Sequence, residues 1–429
     1  MRENSSRQRL LALTIFTIAV TIYWLVAGKQ ESPDQLSYFT AWKNFSSGVI
    51  DMERTPVYPF IIGLAKWLGG ESHTTTVIIL IQNIVACIAV PYAYKTARRA
   101  THSDKAAFWT AAAIAFIPDL VAWRNSIMTE SLAMSGSIFL IYNTIAIYDG
   151  KSKWNLLGFT FWLFFLVYLR PSFVYMLPVL VLVFAMMIYQ KRELWMRSAT
   201  AIAVVGAVSV SLFFYCSAFY RAYGVFAPTS IAIENEFYDM RQSGDLDPSK
   251  AENKQLGEFI AKTYRDNGVR LYQYAYCPIL WHDLDYALKH WQLTDMQQFV
   301  KASRTPKNVI RGIATRTYYA SRDVVVYPRA KSLFEAFNFT IGWIYLMLVI
   351  YAILLCRQWR REKQIPWVNI LIFLLSSLNL ITAIVGAFGQ NVGEWGRLIY
   401  PSKFIYLIMT VQLGQAVIYK IKIEEKRKL

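Results

Sequence analysis

Charge is what this sequence has least of. Only 17% of its 429 residues are Asp, Glu, Lys or Arg, against 55% apolar, and the charges are missing from whole stretches instead of recurring at amphipathic spacing. A soluble core helix needs a polar face, so this absence excludes an ordinary soluble globule. Cysteine is scarce too. Of Cys87, Cys216, Cys277 and Cys356, only Cys277 falls clearly outside an apolar run, which argues against a disulfide framework. The chain has no internal repeat, no low-complexity segment and no visible inverted halves. The first apolar run ends in Ala27, Gly28 and Lys29 without a cleavage signal and reads as a retained anchor.

What is present is a series of uncharged runs of 16 to 23 residues. Each is long enough to cross a hydrocarbon layer of about 30 Å as a helix. They cover 10–27, 74–94, 131–148, 154–169, 171–189, 198–220, 336–356, 366–388 and 404–419, and 106–122 makes a tenth if Asp119 is tolerated. The sequence thus predicts an all-α polytopic membrane protein with about ten transmembrane helices. Lys and Arg gather at the N-terminus, near 95–105, 149–153, 190–197 and 357–363, and at the C-terminus. Basic loops stay in the cytoplasm, so both termini are expected inside. The net charge of +17 is then topological, and nucleic acid is not expected as a partner.

Two exterior stretches exceed a turn. The first, 29–73, carries an amphipathic segment at 34–45 and a short apolar segment at 56–65, read as interfacial helices. The second, 221–335, has helical periodicity at 250–265 and 286–301 between turn signals, and reads as a mainly helical exterior capping domain. Three units follow: a transmembrane module of seven spans at 1–220, the cap at 221–335, and a module of three spans with a basic tail at 336–429.

Charges at the exterior boundary are costly and therefore informative. Asp34 lies just past the first run. Arg54 precedes Thr55-Pro56-Val57-Tyr58-Pro59, and Asp119, Arg124 and Glu130 lie between the third and fourth runs. Arg170 and Pro171 make a tight turn, and Glu394 and Arg397 precede the last run. Each residue also has a purely structural explanation. Asp34 could cap a helix, the arginines could snorkel to headgroups, Glu130 could pair with Arg124, and Glu394 with Arg397.

The order of these elements resembles the GT-C superfamily of membrane glycosyltransferases, the class of protein O-mannosyltransferases and the lipid A aminoarabinose transferase. It rests on Asp34, Tyr38, Ala41, Gly48 and 54–59, then Pro118 with Met128-Thr129-Glu130, Leu169-Arg170-Pro171, and Glu394-Trp395-Gly396-Arg397 with Tyr400-Pro401. It covers about the first 190 residues well and the last third loosely. In one place the chain departs from many relatives, which have a second acid where Gln35 stands. The resemblance implies an inverting transfer of a sugar from a polyprenyl-phosphate-linked donor to a hydroxyl of a glycan, lipid or protein. It would act on the exterior face of a plasma membrane, the bacterial inner membrane. Asp34 and Glu130 are then the catalytic candidates, Arg54, Arg124, Arg170 and Arg397 the donor-phosphate contacts, and Tyr38, Tyr58 and Glu394 the substrate contacts.

The chemistry fits these residue types. Sugar transfer needs a base for the acceptor hydroxyl and cations for the departing phosphate, and arginine binds two phosphate oxygens with its fork. No metal is assigned. Asp283-Leu284-Asp285 and Asp245-Leu246-Asp247, with His282 beside the first, have the spacing of a metal motif. They lack the surrounding strand and helix pattern of nucleotide-sugar enzymes, so a divalent cation stays an open question. A transporter or flippase of a lipid-linked or anionic solute, and a glycan polymerase or ligase, remain as alternatives. Transporters more often set charges near the midplane.

Overall fold

The computed structural model describes residues 2–26, 32, 34–150, 153–268, 278–323, 340–363, 365–386 and 394–428, which fold into helices and form no sheet. The N-terminal part runs through α1 (Arg2–Val26), α2 (Gln35–Ser46), α3 (Val57–Thr101), α4 (Asp104–Phe116), α5 (Pro118–Ala122), α6 (Glu130–Tyr148), α7 (Trp154–Leu169), α8 (Met176–Gln190) and α9 (Trp195–Tyr223). Next come α10 (Ile231–Ser243), α11 (Lys254–Asn267), α12 (Pro278–His290), α13 (Leu293–Ser303) and α14 (Pro306–Arg322). The chain ends with α15 (Ile341–Glu362), α16 (Trp367–Gly386), the short α17 (Glu394–Leu398) and α18 (Lys403–Lys428).

The described residues of the ten expected runs lie in helices, apart from a break at Ile117 and the first described residue of two runs, Thr340 and Pro366. Six helical stretches are long and apolar enough to cross a membrane among the described residues: Val57–Thr101, Glu130–Tyr148, Pro171–Gln190, Arg192–Tyr223, Ile341–Glu362 and Trp367–Val385. The chain is a multi-pass membrane protein. Two expectations change shape. The run at 106–122 is not one helix, because Pro118 disfavours the helical conformation for the residue before it. Ile117 is extended (ψ 121°), and the chain restarts as α5 and a tight turn, Trp123–Asn125. Conversely, the surface segment at 56–65 and the span at 74–94 join in α3, bent at Gly70, whose φ of +65° suits a residue without a Cβ.

Small residues set the packing of the N-terminal bundle. Ala86, Ala89, Ala93, Ala97 and Ala100 make a buried stripe on α3, and Ala107, Ala111 and Ala115 make one on α4. The two helices pack together. Lipid tails are as apolar as leucine, so close backbone approach supplies much of helix association in a membrane. The same device seats α2 on α3: a Cβ on Gly63 would sit 2.3 Å from the Trp42 ring. Gln412 of α18 ties the two ends of the chain together, donating to Ala100 O (2.7 Å) on α3 and to Asn369 Oδ1 (3.0 Å) on α16.

Helices α10 to α13 surround a second apolar core that includes Phe237, Leu256, Ile260, Met296 and Phe299. It is fastened to the segment between α2 and α3, where Ser230 N–H donates to Met52 O (2.8 Å) and Tyr223 Oη to Ile50 O (2.6 Å).

Candidate active site

Five charged side chains from four widely separated segments meet beside α2. Asp34 stands at the N-cap position of α2, yet its carboxylate makes no capping bond. Instead Oδ2 accepts from Arg397 Nη1 (3.1 Å), and Oδ1 lies 3.5 Å from Arg54 Nη2. Glu130, at the first turn of α6, accepts from Arg170 Nη1 (3.2 Å) and lies 3.7 Å from Arg397 Nε. Arg397 therefore bridges the two carboxylates. Glu130 is buried, at 1% side-chain exposure, whereas Asp34 keeps 31% and Arg397 24%, so the Asp34 side is the one open to a ligand.

Local sequence explains each placement. Asp51 Oδ1 accepts from the backbone N–H groups of Glu53 (3.0 Å) and Arg54 (2.7 Å), a side-chain turn that aims Arg54 back at α2. Arg54 Nε then donates to Ser37 Oγ (2.9 Å), and its guanidinium lies 4.4 Å from the Tyr38 ring centroid. Pro171 follows Arg170 and holds it extended at the end of α7 (φ −148°, ψ 123°). Arg397 comes from α17. Asp323 Oδ2 accepts the Trp395 N–H (3.0 Å) and Tyr400 Oη donates to Leu120 O, which lock the chain on either side of it.

Three guanidiniums face two carboxylates here, leaving one net positive charge. Burial would raise the Asp34 carboxyl, but Arg397 and Arg54 outweigh it and hold it below the ordinary carboxylate range. Such a group is a weak base while both guanidiniums stay on it. An anion that drew them away would make it a better one.

Known proteins share this architecture. Residues 53–216 match the family of dolichyl-phosphate-mannose-protein mannosyltransferases. The fold also matches the archaeal oligosaccharyltransferase AglB from Archaeoglobus fulgidus, solved with an inhibitory peptide and a dolichol-phosphate, at a TM-score of 0.53 and 11% identity. The match covers 100% of this chain and 52% of the archaeal one, so this chain spans about half the length of that enzyme. No curated protein matches in sequence. The chain has the GT-C glycosyltransferase fold.

Of the GT-C site residues read from the sequence, Asp34, Glu130, Arg54, Arg170 and Arg397 converge, with Tyr38 beside them. The Tyr58 ring lies tilted against that of Tyr38 (ring centroids 4.7 Å apart), and its hydroxyl donates to Gln82 Oε1 (2.9 Å). It is fully buried and buttresses the site from behind. Arg124 does not join the group. It has no exposed surface, and its Nη2 donates to Ile114 O (3.1 Å) at the end of α4. The pairing of Glu130 with Arg124 is replaced by pairing with Arg170 and Arg397, because the turn after Pro118 points Arg124 into the bundle. Glu394 begins α17, but its side chain lies outside the described residues.

Ser37, Asp51 and Gln82 were not singled out from the sequence. Gln82 clamps the loop before α6, donating to Arg124 O (3.0 Å) and Ser126 O (2.8 Å). Only the spacing of Asp51 ahead of Arg54 could have signalled a role. The acids of the two metal-like motifs are engaged locally: Asp283 with Arg241, Asp245 with Arg311, Asp247 with Ser249 and Asp285 with Lys289. Among the described residues, no three His, Cys, Asp or Glu side chains are grouped to hold a metal ion.

Proposed function

We propose that this GT-C chain transfers a sugar from a polyprenyl-phosphate-linked donor to an acceptor hydroxyl on the exterior face of the membrane, with inversion. The observation that carries the reading is the arginine trio around Asp34 and Glu130 at the ends of membrane helices. A donor phosphate, a diester whose two non-bridging oxygens share one negative charge, competes for Arg54, Arg170 and Arg397, and the departing monoester gains a second charge for them to hold. The donor's arrival relieves Asp34 of the guanidiniums that hold its basicity down. Asp34 then accepts the acceptor's hydroxyl proton, the hydroxyl oxygen attacks the anomeric carbon, and the bond from that carbon to the phosphate oxygen breaks. The electron pair leaves with the phosphate, where the arginines stabilise it. Glu130, buried between Arg170 and Arg397, keeps the forks oriented.

The dolichol-phosphate in the archaeal structure supports a lipid phosphate as the leaving group. The basic loops support an exterior site, and with it cytoplasmic termini. Purified protein in nanodiscs, given a panel of polyprenyl-phosphate sugars, should release free polyprenyl phosphate and glycosylate an added acceptor. Donor that instead crosses the bilayer intact, without release of lipid phosphate, would replace this reading with the flippase.

A further inference from the structure

Helix α14 is amphipathic in the reverse of the usual sense. Its buried positions are Gly312, Arg316 and Ala320, so the one large side chain that it buries is a charged one. Arg316 Nη1 donates to Asp239 Oδ2 (2.8 Å), and Arg311 pairs with Asp245. Its exposed surface carries large apolar side chains beside Lys307, Arg311 and Arg322: Val309 is 42% exposed, Ile310 68%, Ile313 39% and Tyr318 50%. A helix bathed in water would present the opposite pattern.

Its position explains the inversion. The end of α14 sits against the start of the candidate span α15: Tyr345 Oη donates to Thr317 O (3.3 Å), and Ile341 N–H donates to Asp323 O (2.9 Å). A Cβ on Gly342 would lie 3.0 Å from Ser321 O, so the two helices approach at backbone distance. From that same end α15 presents Trp343, Leu346, Val349, Ile350 and Ile353, exposed and apolar as a lipid-facing surface should be. Lys307 and Arg322 stand exposed near the two ends of α14, and Arg322 lies 4.4 Å over the Tyr318 ring.

We propose that α14 is a membrane-surface helix whose stripe from Val309 to Tyr318 beds into the headgroup and acyl boundary of the leaflet next to α10–α14, while Lys307 and Arg322 meet lipid phosphates. The basic ends fit anionic headgroups, and the stripe continues onto the surface that α15 gives to lipid. A bilayer is therefore the occupant, not a second protein. The helix leads into Asp323, which also fixes the backbone two residues before Arg397, so its seat on the bilayer supports one wall of the candidate site.

The test uses the full chain with p-benzoyl-phenylalanine at Ile310 or Ile313, in nanodiscs of phosphatidylglycerol and phosphatidylethanolamine. The same photoprobe at Lys254, exposed on α11, is the control. After irradiation, intact-mass analysis should find lipid adducts at 310 and 313 at least tenfold above the control. Both positions are exposed, so the thermal transition should stay that of wild type. If one variant does not fold, Val309 gives the same readout. Lipid adducts no more frequent than at Lys254, or adducts to a second copy of the chain in place of lipid, would overturn the proposal.

Discussion

Asp34→Asn tests the candidate site most directly. Asn has nearly the volume of Asp and caps a helix about equally well, and Asp34 makes no capping bond to lose. What disappears is one negative charge between Arg54 and Arg397 and the ability to accept a proton. The first loss is small for folding, because Asp34 keeps 31% of its side-chain surface exposed. Solvent-open ion pairs contribute about 0 to 1 kcal/mol each, so two of them are worth at most about 2 kcal/mol. The thermal transition should drop by no more than a few degrees. Donor binding should hold or tighten, since removing one carboxylate from the cluster raises its net positive charge. Turnover should fall by about 10²-fold or more, the scale of a positioned general base. The assay is sugar transfer by purified protein with saturating donor, beside donor titration and thermal unfolding. A folded variant that binds donor and turns over at the wild-type rate would refute the reasoning, and Glu130 would become the next candidate base.

Single Arg→Lys changes at 54, 170 and 397 keep the charge but lose the fork, so turnover and donor affinity should both fall well below wild type. Arg124→Lys should instead lower the thermal transition and leave donor affinity alone, and equal donor affinity in all four variants would remove the phosphate assignment. Glu234, buried on α10, has its carboxyl pushed up to about 7 by burial. The folded protein therefore holds that proton where the unfolded chain, titrating near 4.5, has lost it. Stability is full below the lower value and declines as pH rises through the upper one, by about 3 kcal/mol from that difference. Glu234→Gln should match wild type at pH 5 and melt several degrees above it at pH 8; the same offset at both pH values would refute this. Cysteines placed near Gly244 should label from outside intact cells while those near Gln358 should not, and the reverse pattern would move the site to the other face.

Helix content and membrane character were legible because both are local. An uncharged run long enough to span declares itself residue by residue, whatever it later packs against. Pro118 and Gly70 show where that reading stops. A proline's effect on Ile117 is local, but whether the chain breaks or bends there depended on what the next segment had to reach. The charged residues were visible one by one at the ends of the apolar runs, and their types already suited phosphate and proton chemistry. Their pairing was not visible, because Asp34 and Arg397 are separated by nearly the whole chain and meet only through the folding of α17 against the N-terminal bundle. Arg124 makes the same point in reverse: in sequence it matches Arg54 and Arg170, yet the turn after Pro118 buries it. Sequence fixes which side chains are charged and that they stand at the ends of apolar runs. Only tertiary packing decides which of them share a solvent-open space, because that depends on the direction in which each backbone turn aims its side chain.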